Sequence, residues 1–309
     1  MLLGDVDVEA TSTEQGEGSS LLQDDASTKA SEALGVNAEA LGKALTERTV
    51  KARNETFKVP LTQQQARDAR DALAKEIYVR TFDYIVSKIN TATSSGDVDR
   101  AMRVVGLLDI FGFESFAVNR FEQLCINYTN EKLQQKFTLD LFKTVQQEYD
   151  EEGVPWTHVA FPDNAAVLTL IEGRMGIIDV LNEECVRPRG SDEGFVSKLT
   201  TLHGTESTRY IPHKMNRDQF TIKHYAGDVT YTAHHWLERN TDALPEDLAG
   251  VARSSSFAML SQLFSSSVVT TKKKGKLVKD TVCTKFKAQL TLLMEEIERT
   301  TVQYVRCVK

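Results

Sequence analysis

Asp109 and Glu114 are the carboxylates best placed to do chemistry in this sequence, because Gly112 lies between them and an apolar run leads straight into them. A carboxylate beside a hard cation suits magnesium, which takes oxygen ligands. A glycine lets the backbone approach a phosphate where a Cβ would obstruct it. The run Val104-Val105-Gly106-Leu107-Leu108 closes on the turn Asp109-Ile110-Phe111-Gly112-Phe113-Glu114. Its β-branched and leucine-rich character predicts a buried strand with an acidic loop at its carboxyl end, where open α/β sheets place their ligands. From Phe121 the apolar positions step by three or four through Leu124, Cys125, Tyr128, Leu133, Phe137, Leu141, Val145 and Tyr149, which is helix periodicity. About 30 residues at roughly 1.5 Å each make a rod of ~45 Å. An acidic loop is thus joined directly to a rod able to carry its movement elsewhere.

These residues carry a family resemblance. Asp109-Ile110-Phe111-Gly112-Phe113-Glu114-Ser115-Phe116, followed by Phe121-Glu122-Gln123-Leu124-Cys125-Ile126-Asn127-Tyr128-Thr129-Asn130-Glu131-Lys132-Leu133-Gln134-Gln135, resembles the switch II loop and relay helix of the myosin motor domain. The resemblance implies an actin-based motor driven by ATP and Mg2+. By it, Asp109 would sit near the magnesium through water, the Gly112 amide would donate to the γ-phosphate, and Glu114 would orient the attacking water. Phe113, Asn127 and Tyr128 would belong to the relay, and Trp156 matches the relay-loop tryptophan. The implied fold is α/β, mostly helical, with strands of a central mixed sheet: an incomplete P-loop NTPase-type motor core.

Composition agrees with a globular protein. The 309 residues are 41% hydrophobic and 26% charged, with net charge −7, so there is core enough for one large domain or two, and the acidic balance argues against wholesale nucleic-acid binding. Cys125, Cys185, Cys283 and Cys307 are scattered without a Cys-x-x-Cys, as reduced thiols of a cytosolic protein are. No secretion signal precedes Gly4-Asp5, and no run approaches the roughly 20 apolar residues of a membrane span.

Along the chain, residues 11–30 are rich in Ser, Thr, Glu, Asp and Gly and predict a mobile acidic loop. Ala33, Leu34, Val36, Leu41 and Leu45 predict short helices. Gly42-Lys43 is no phosphate loop, since Walker A needs glycine at Asn37 and Ser or Thr at Ala44. A loop over residues 51–57 leads to a helix capped by Thr62, on which Ile77, Tyr78, Phe82, Ile85, Val86 and Ile89 form a stripe expected to face a core. Phe220 to Tyr231 predicts two short strands about Gly227-Asp228. His224, His234 and His235 lack the companions of a metal site and read as surface or capping residues.

By resemblance, residues 1–100 belong to the upper subdomain, 101–156 to switch II and relay, 157–264 to the lower actin-binding subdomain, 265–280 to loop 2, and 281–309 to a helix and strand returning to the central sheet. Actin filaments would be met by Glu55, an acidic loop site; by the tip of a helix-loop-helix at Val186, Arg187, Pro188 and Arg189; and by Lys272, Lys273, Lys274 and Lys276 of loop 2. Light chains would bind only a lever arm that lies beyond this sequence. With neither Walker A nor switch I, the chain is expected to open mid-domain and to hydrolyse little ATP alone. A non-catalytic actin-binding fragment is the alternative. The strands at residues 104 and 304 would expose edges and favour association.

Overall fold

The computed structural model describes residues 2–13, 16–52, 55–94, 105–157, 159, 163–241, 244–265 and 281–305. The chain divides into two compact units, residues 1–104 with 243–276, and residues 105–242 with 277–309. Residues 244–264, expected in the lower subdomain, therefore pack in the first unit.

In the first unit a short 3-10 turn, Leu2–Asp5, leads into a hairpin of β1 (Val8–Thr13) and β2 (Gly16–Leu21). Where a mobile loop was expected, backbone pairing and the buried Val6 and Val8 hold the polar chain in place. Helices α1 (Asp25–Leu34) and α2 (Ala38–Thr46) follow, capped by the side chains of Asp24 and Asn37. Gly42 lies inside α2 and Lys43 pairs with Glu39 at 2.6 Å. Strands β3 (Glu47–Ala52) and β4 (Glu55–Pro60) form a second hairpin in place of the expected loop.

Thr62 then caps α3 (Gln63–Thr93) through a capping box with Gln65. Its early turns bury Ala66, Ala69 and Leu73 against Leu41, Leu45 and Leu61, with Leu248 of α10 (Glu246–Arg253) and Phe264 of α11 (Ala258–Ser265) completing this core. The stripe beyond does not reach it: Tyr78, Phe82, Ile85, Val86 and Ile89 are exposed, and only Ile77 packs against the core. Periodicity fixes which residues share a face, not whether anything covers that face.

Arg67 clamps Asp7 with two charge-assisted bonds of 2.8 and 2.9 Å. That contact, with the Val8 amide, lowers the Asp7 pKa below its ordinary value. A depressed folded pKa stabilises above the unfolded carboxylate pKa, and the contribution is lost as pH falls through the folded value. Asp7→Asn should thus lower the melting temperature at pH 7 only slightly, as expected of so exposed a pair. Melts at pH 7 and in strong acid would check it, the wild-type advantage closing in acid.

The second unit is built on α4 (Phe121–Thr138), which runs through a π-helical turn (Leu139–Lys143) into α5 (Thr144–Glu151). The long rod is present. The strand expected before the acidic loop is not: residues 105–110 form neither helix nor strand, with Val105 87% and Leu107 96% exposed. Residues 301–305 are also coil. A strand meant to be buried on both faces needs neighbours on both edges, and the described residues supply none.

Around the rod pack α6 (Ala165–Glu172), α7 (Ile177–Val186), α8 (Asp192–His203), α9 (Trp236–Asn240) and α12 (Val282–Glu298). They enclose an antiparallel sheet, β5 (Tyr210–Pro212), β6 (Gln219–Lys223) and β7 (Asp228–Thr232), whose β6–β7 hairpin turns at Gly227 as expected. Phe195, Phe220, Tyr231 and Trp236 are fully buried and pack ring against ring at its centre, with centroids 5.6–6.2 Å apart.

Candidate functional site

The acidic loop is held from below by amide side chains of α4. Asn127 makes a two-way clasp on the Glu114 peptide: the Glu114 N–H donates to Asn127 Oδ1 and Asn127 Nδ2 donates to the Glu114 carbonyl, both at 2.8 Å. One turn on, Asn130 Nδ2 donates to the Phe111 carbonyl at 3.1 Å. Gln123 Nε2 reaches Glu114 Oε2 at 3.3 Å. Buried Asn119 closes the loop's far end on Phe116 and ties it to β7 through the Thr230 carbonyl. Phe113 packs edge-on against His224 and Tyr225. Asp109 and Gly112 are left exposed on the outer side, and nothing lies within 4 Å of a Cβ placed on Gly112.

The loop does not by itself assemble a metal site. Asp109 is one carboxylate, and among the described residues no three His, Cys, Asp or Glu side chains are grouped to hold a cation. Magnesium needs further oxygens, from a phosphate, water or other protein groups.

Tyr128 is buried and its hydroxyl donates to Glu172, which also pairs with Lys132. Burial first, then the Glu172 carboxylate, push the phenol's pKa well above its ordinary value, so it stays a donor. At the far end of the rod Gly153 adopts φ +66° and turns the chain back. Trp156 Nε1 donates to Asp150 at 3.0 Å and its ring meets Tyr149.

The tip between α7 and α8 carries Val186, Arg187, Pro188 and Arg189, all exposed. The buried Glu184 carboxylate holds it from inside, accepting from the Ser191 amide at 3.3 Å and pairing with Arg187. Gly190 is required there, since a Cβ would stand 2.1 Å from the Glu184 carbonyl. Glu55 opens β4 opposite Ala52, exposed on a hairpin of the first unit. Lys272, Lys273, Lys274 and Lys276 lie outside the described residues. Cys125, Cys185 and Cys283 are not joined in disulfides, while Cys307 lies outside the described residues.

The histidine reading is corrected in one case. His234 and His235 are exposed, but His224 is buried, bonded to Glu131 Oε1 at 2.9 Å and the Tyr231 hydroxyl at 2.8 Å. Glu131, Asn164 and Tyr231 join it in a polar cluster that sequence reasoning passed over. The signal was available: Asn127 and Glu131 fall on the same helical face as Leu124 and Tyr128, so polar groups had to be buried with the apolar ones.

A mixed helical unit whose loop is clasped by amides from a long helix defines the class: a loop-and-rod module. The whole chain, residues 1–309, matches the myosin head (motor domain) family, and the chain belongs to it. It is 39% identical to unconventional myosin-Vc of Homo sapiens over 99% of this chain and 18% of that protein. It is 42% identical to myosin-14 of Arabidopsis thaliana over 88% and 18%. Myosin-51 of Schizosaccharomyces pombe is 37% identical over 99% and 21%. The chain thus spans about a fifth of the length of these relatives. No helix among the described residues is long and apolar enough to cross a membrane.

Proposed function

We propose that this chain supplies the switch II loop, the relay rod and part of the actin-facing surface of a cytoskeletal, cytoplasmic motor that couples ATP hydrolysis to movement along actin filaments. The observation that carries the reading is the clasp of Asn127 on the Glu114 peptide, with Asn130 on Phe111 beside it: the loop cannot shift without pulling on the helix. Gly112 would give its amide to the γ-phosphate, Glu114 would hold the attacking water, and Asp109 would face the hydrated Mg2+. Positioning and electrostatics supply most of the catalysis in phosphoryl transfer, and residues 1–309 hold no Walker A cradle to orient the nucleotide. Hydrolysis by this chain alone is therefore negligible. Filament contact falls to Glu55, to Val186–Arg189 at the tip, and to Lys272, Lys273, Lys274 and Lys276. Arginines and lysines facing acidic actin groups make the association salt-sensitive.

Cosedimentation with filamentous actin, with and without ATP, at low and moderate salt, tests this. The expected result is binding that weakens several-fold with added salt and is indifferent to ATP. Absence of binding at low salt would overturn the actin-facing assignment. Release by ATP would show nucleotide bound without a Walker loop and overturn the catalytic half of the account.

A further inference from the structure

The clasp on the acidic loop does not end at Asn127. Asn127 Nδ2 also donates to the Tyr231 hydroxyl at 2.9 Å, that hydroxyl lies 2.8 Å from His224 Nε2, and His224 Nδ1 lies 2.9 Å from Glu131 Oε1. Glu131 is wholly buried and takes two further donors, the Tyr225 amide at 3.0 Å and Asn164 Nδ2. One set of protons satisfies every atom. Glu131, as carboxylate, accepts from His224 Nδ1–H; His224 Nε2 accepts from Tyr231 O–H; the Tyr231 oxygen accepts from Asn127; and Asn127 is left to hold the Glu114 carbonyl and amide. A buried polar chain with no unpaired member favours a single geometry. Burial raises the Tyr231 pKa, so the phenol keeps the proton it donates.

We infer that Glu131 and His224 are positioning residues for the acidic loop: through Tyr231 and Asn127 they fix the rotamer of the amide that grips the Glu114 peptide, and so fix where Gly112 and Glu114 stand. This rests on the reading of the loop as a nucleotide switch, but the geometry can be tested without nucleotide or actin. The alternatives leave bonds unmade. With the other tautomer, two lone pairs would face each other between Glu131 and His224. Without the tyrosine hydroxyl, Asn127 would lose the one bond that fixes its rotamer from outside the loop and keep only its two to the Glu114 peptide.

The test is amide hydrogen exchange on the full chain, read at Glu114 and, as an internal control, at Ile222 and Val229 of the sheet. Glutamine spaces a donor and an acceptor much as imidazole spaces its two nitrogens, so His224→Gln can donate to Glu131 and accept from Tyr231, whereas His224→Leu can do neither. Tyr231→Phe removes only the hydroxyl. The expected result is faster exchange at Glu114, on the order of tenfold for one lost hydrogen bond, in Tyr231→Phe and His224→Leu, with His224→Gln near wild type and the sheet amides unchanged in all three. Glu114 protection that survives Tyr231→Phe would overturn the inference. So would equal loss in His224→Gln and His224→Leu, or loss spread evenly over the sheet. Local loss at Glu114 in a chain that fails to bind actin would uphold the positioning and refute the motor assignment instead.

Discussion

Phe195→Ala is expected to cost the second unit about 3–5 kcal/mol, the range for removing a buried aromatic ring. Phe195 projects from α8 with no exposure and touches Phe220 and Trp236 at centroid distances of 6.2 and 5.7 Å. Those neighbours sit on β6 and α9 and are themselves fully buried, so little nearby can move in to fill the gap. The loss is both transfer free energy and unfilled cavity. Trp236 survives the substitution and reports on its own surroundings: its emission in a denaturant titration should turn red at a distinctly lower midpoint than in the wild type. Tyr78→Ala is the comparison, because that ring is 71% exposed on α3 and its removal should change stability by no more than about 0.5 kcal/mol. Equal midpoints for Phe195→Ala and the wild type would mean the aromatic cluster is not the core described.

The second large effect is on self-association. Tyr78, Phe82, Ile85 and Ile89 share one face of α3 and are 49–71% exposed, an apolar strip of the sort that marks an interaction surface. Covering a side chain of this size contributes ~1.5–3 kcal/mol. Phe82→Glu with Ile85→Lys should therefore weaken association of the chain with itself by roughly ten- to a hundredfold for each position. Sedimentation velocity across a concentration series would show it as a shift toward monomer, with the melting transition unmoved because neither residue supports a core. An unchanged distribution would mean that this strip drives no association of the chain.

These two results also mark how far the sequence could be read. Features fixed by neighbours in the chain came through: Thr62 as the cap of α3, the helix-loop-helix around Arg187, the hairpin at Gly227 and the continuous rod after Phe121. Features that depend on what lies alongside did not. Beyond Ile77 the stripe on α3 has helical spacing but is exposed, and residues 105–108 have strand character without strands to pair with among the described residues. Polarity misled in the opposite direction. The β1–β2 hairpin has the composition of a loop, yet its ladder of backbone bonds owes nothing to side-chain type. His224 reads as a surface residue until Glu131, 93 positions earlier, is placed beside it. Asp109, Gly112 and Glu114 could be singled out from the sequence, whereas the means of holding their loop, an asparagine face on the helix, needed coordinates.

The π turn in the rod sets a phase. The Thr144 amide bonds to the Leu139 carbonyl, five residues back, so this turn holds one residue more than its α-helical neighbours. Each residue of an α-helix advances the chain by about 100° around the axis. Everything beyond Lys143 is consequently rotated by more than a quarter turn from where an unbroken α-helix would put it. The rod thus works as a fixed angular offset between its two ends. Deleting a single residue between 139 and 143 would let the rod close as an unbroken α-helix with Tyr149 and its partner Trp156 kept near their present side, whereas a deletion in the α-helical stretch before it would swing them by about 100°.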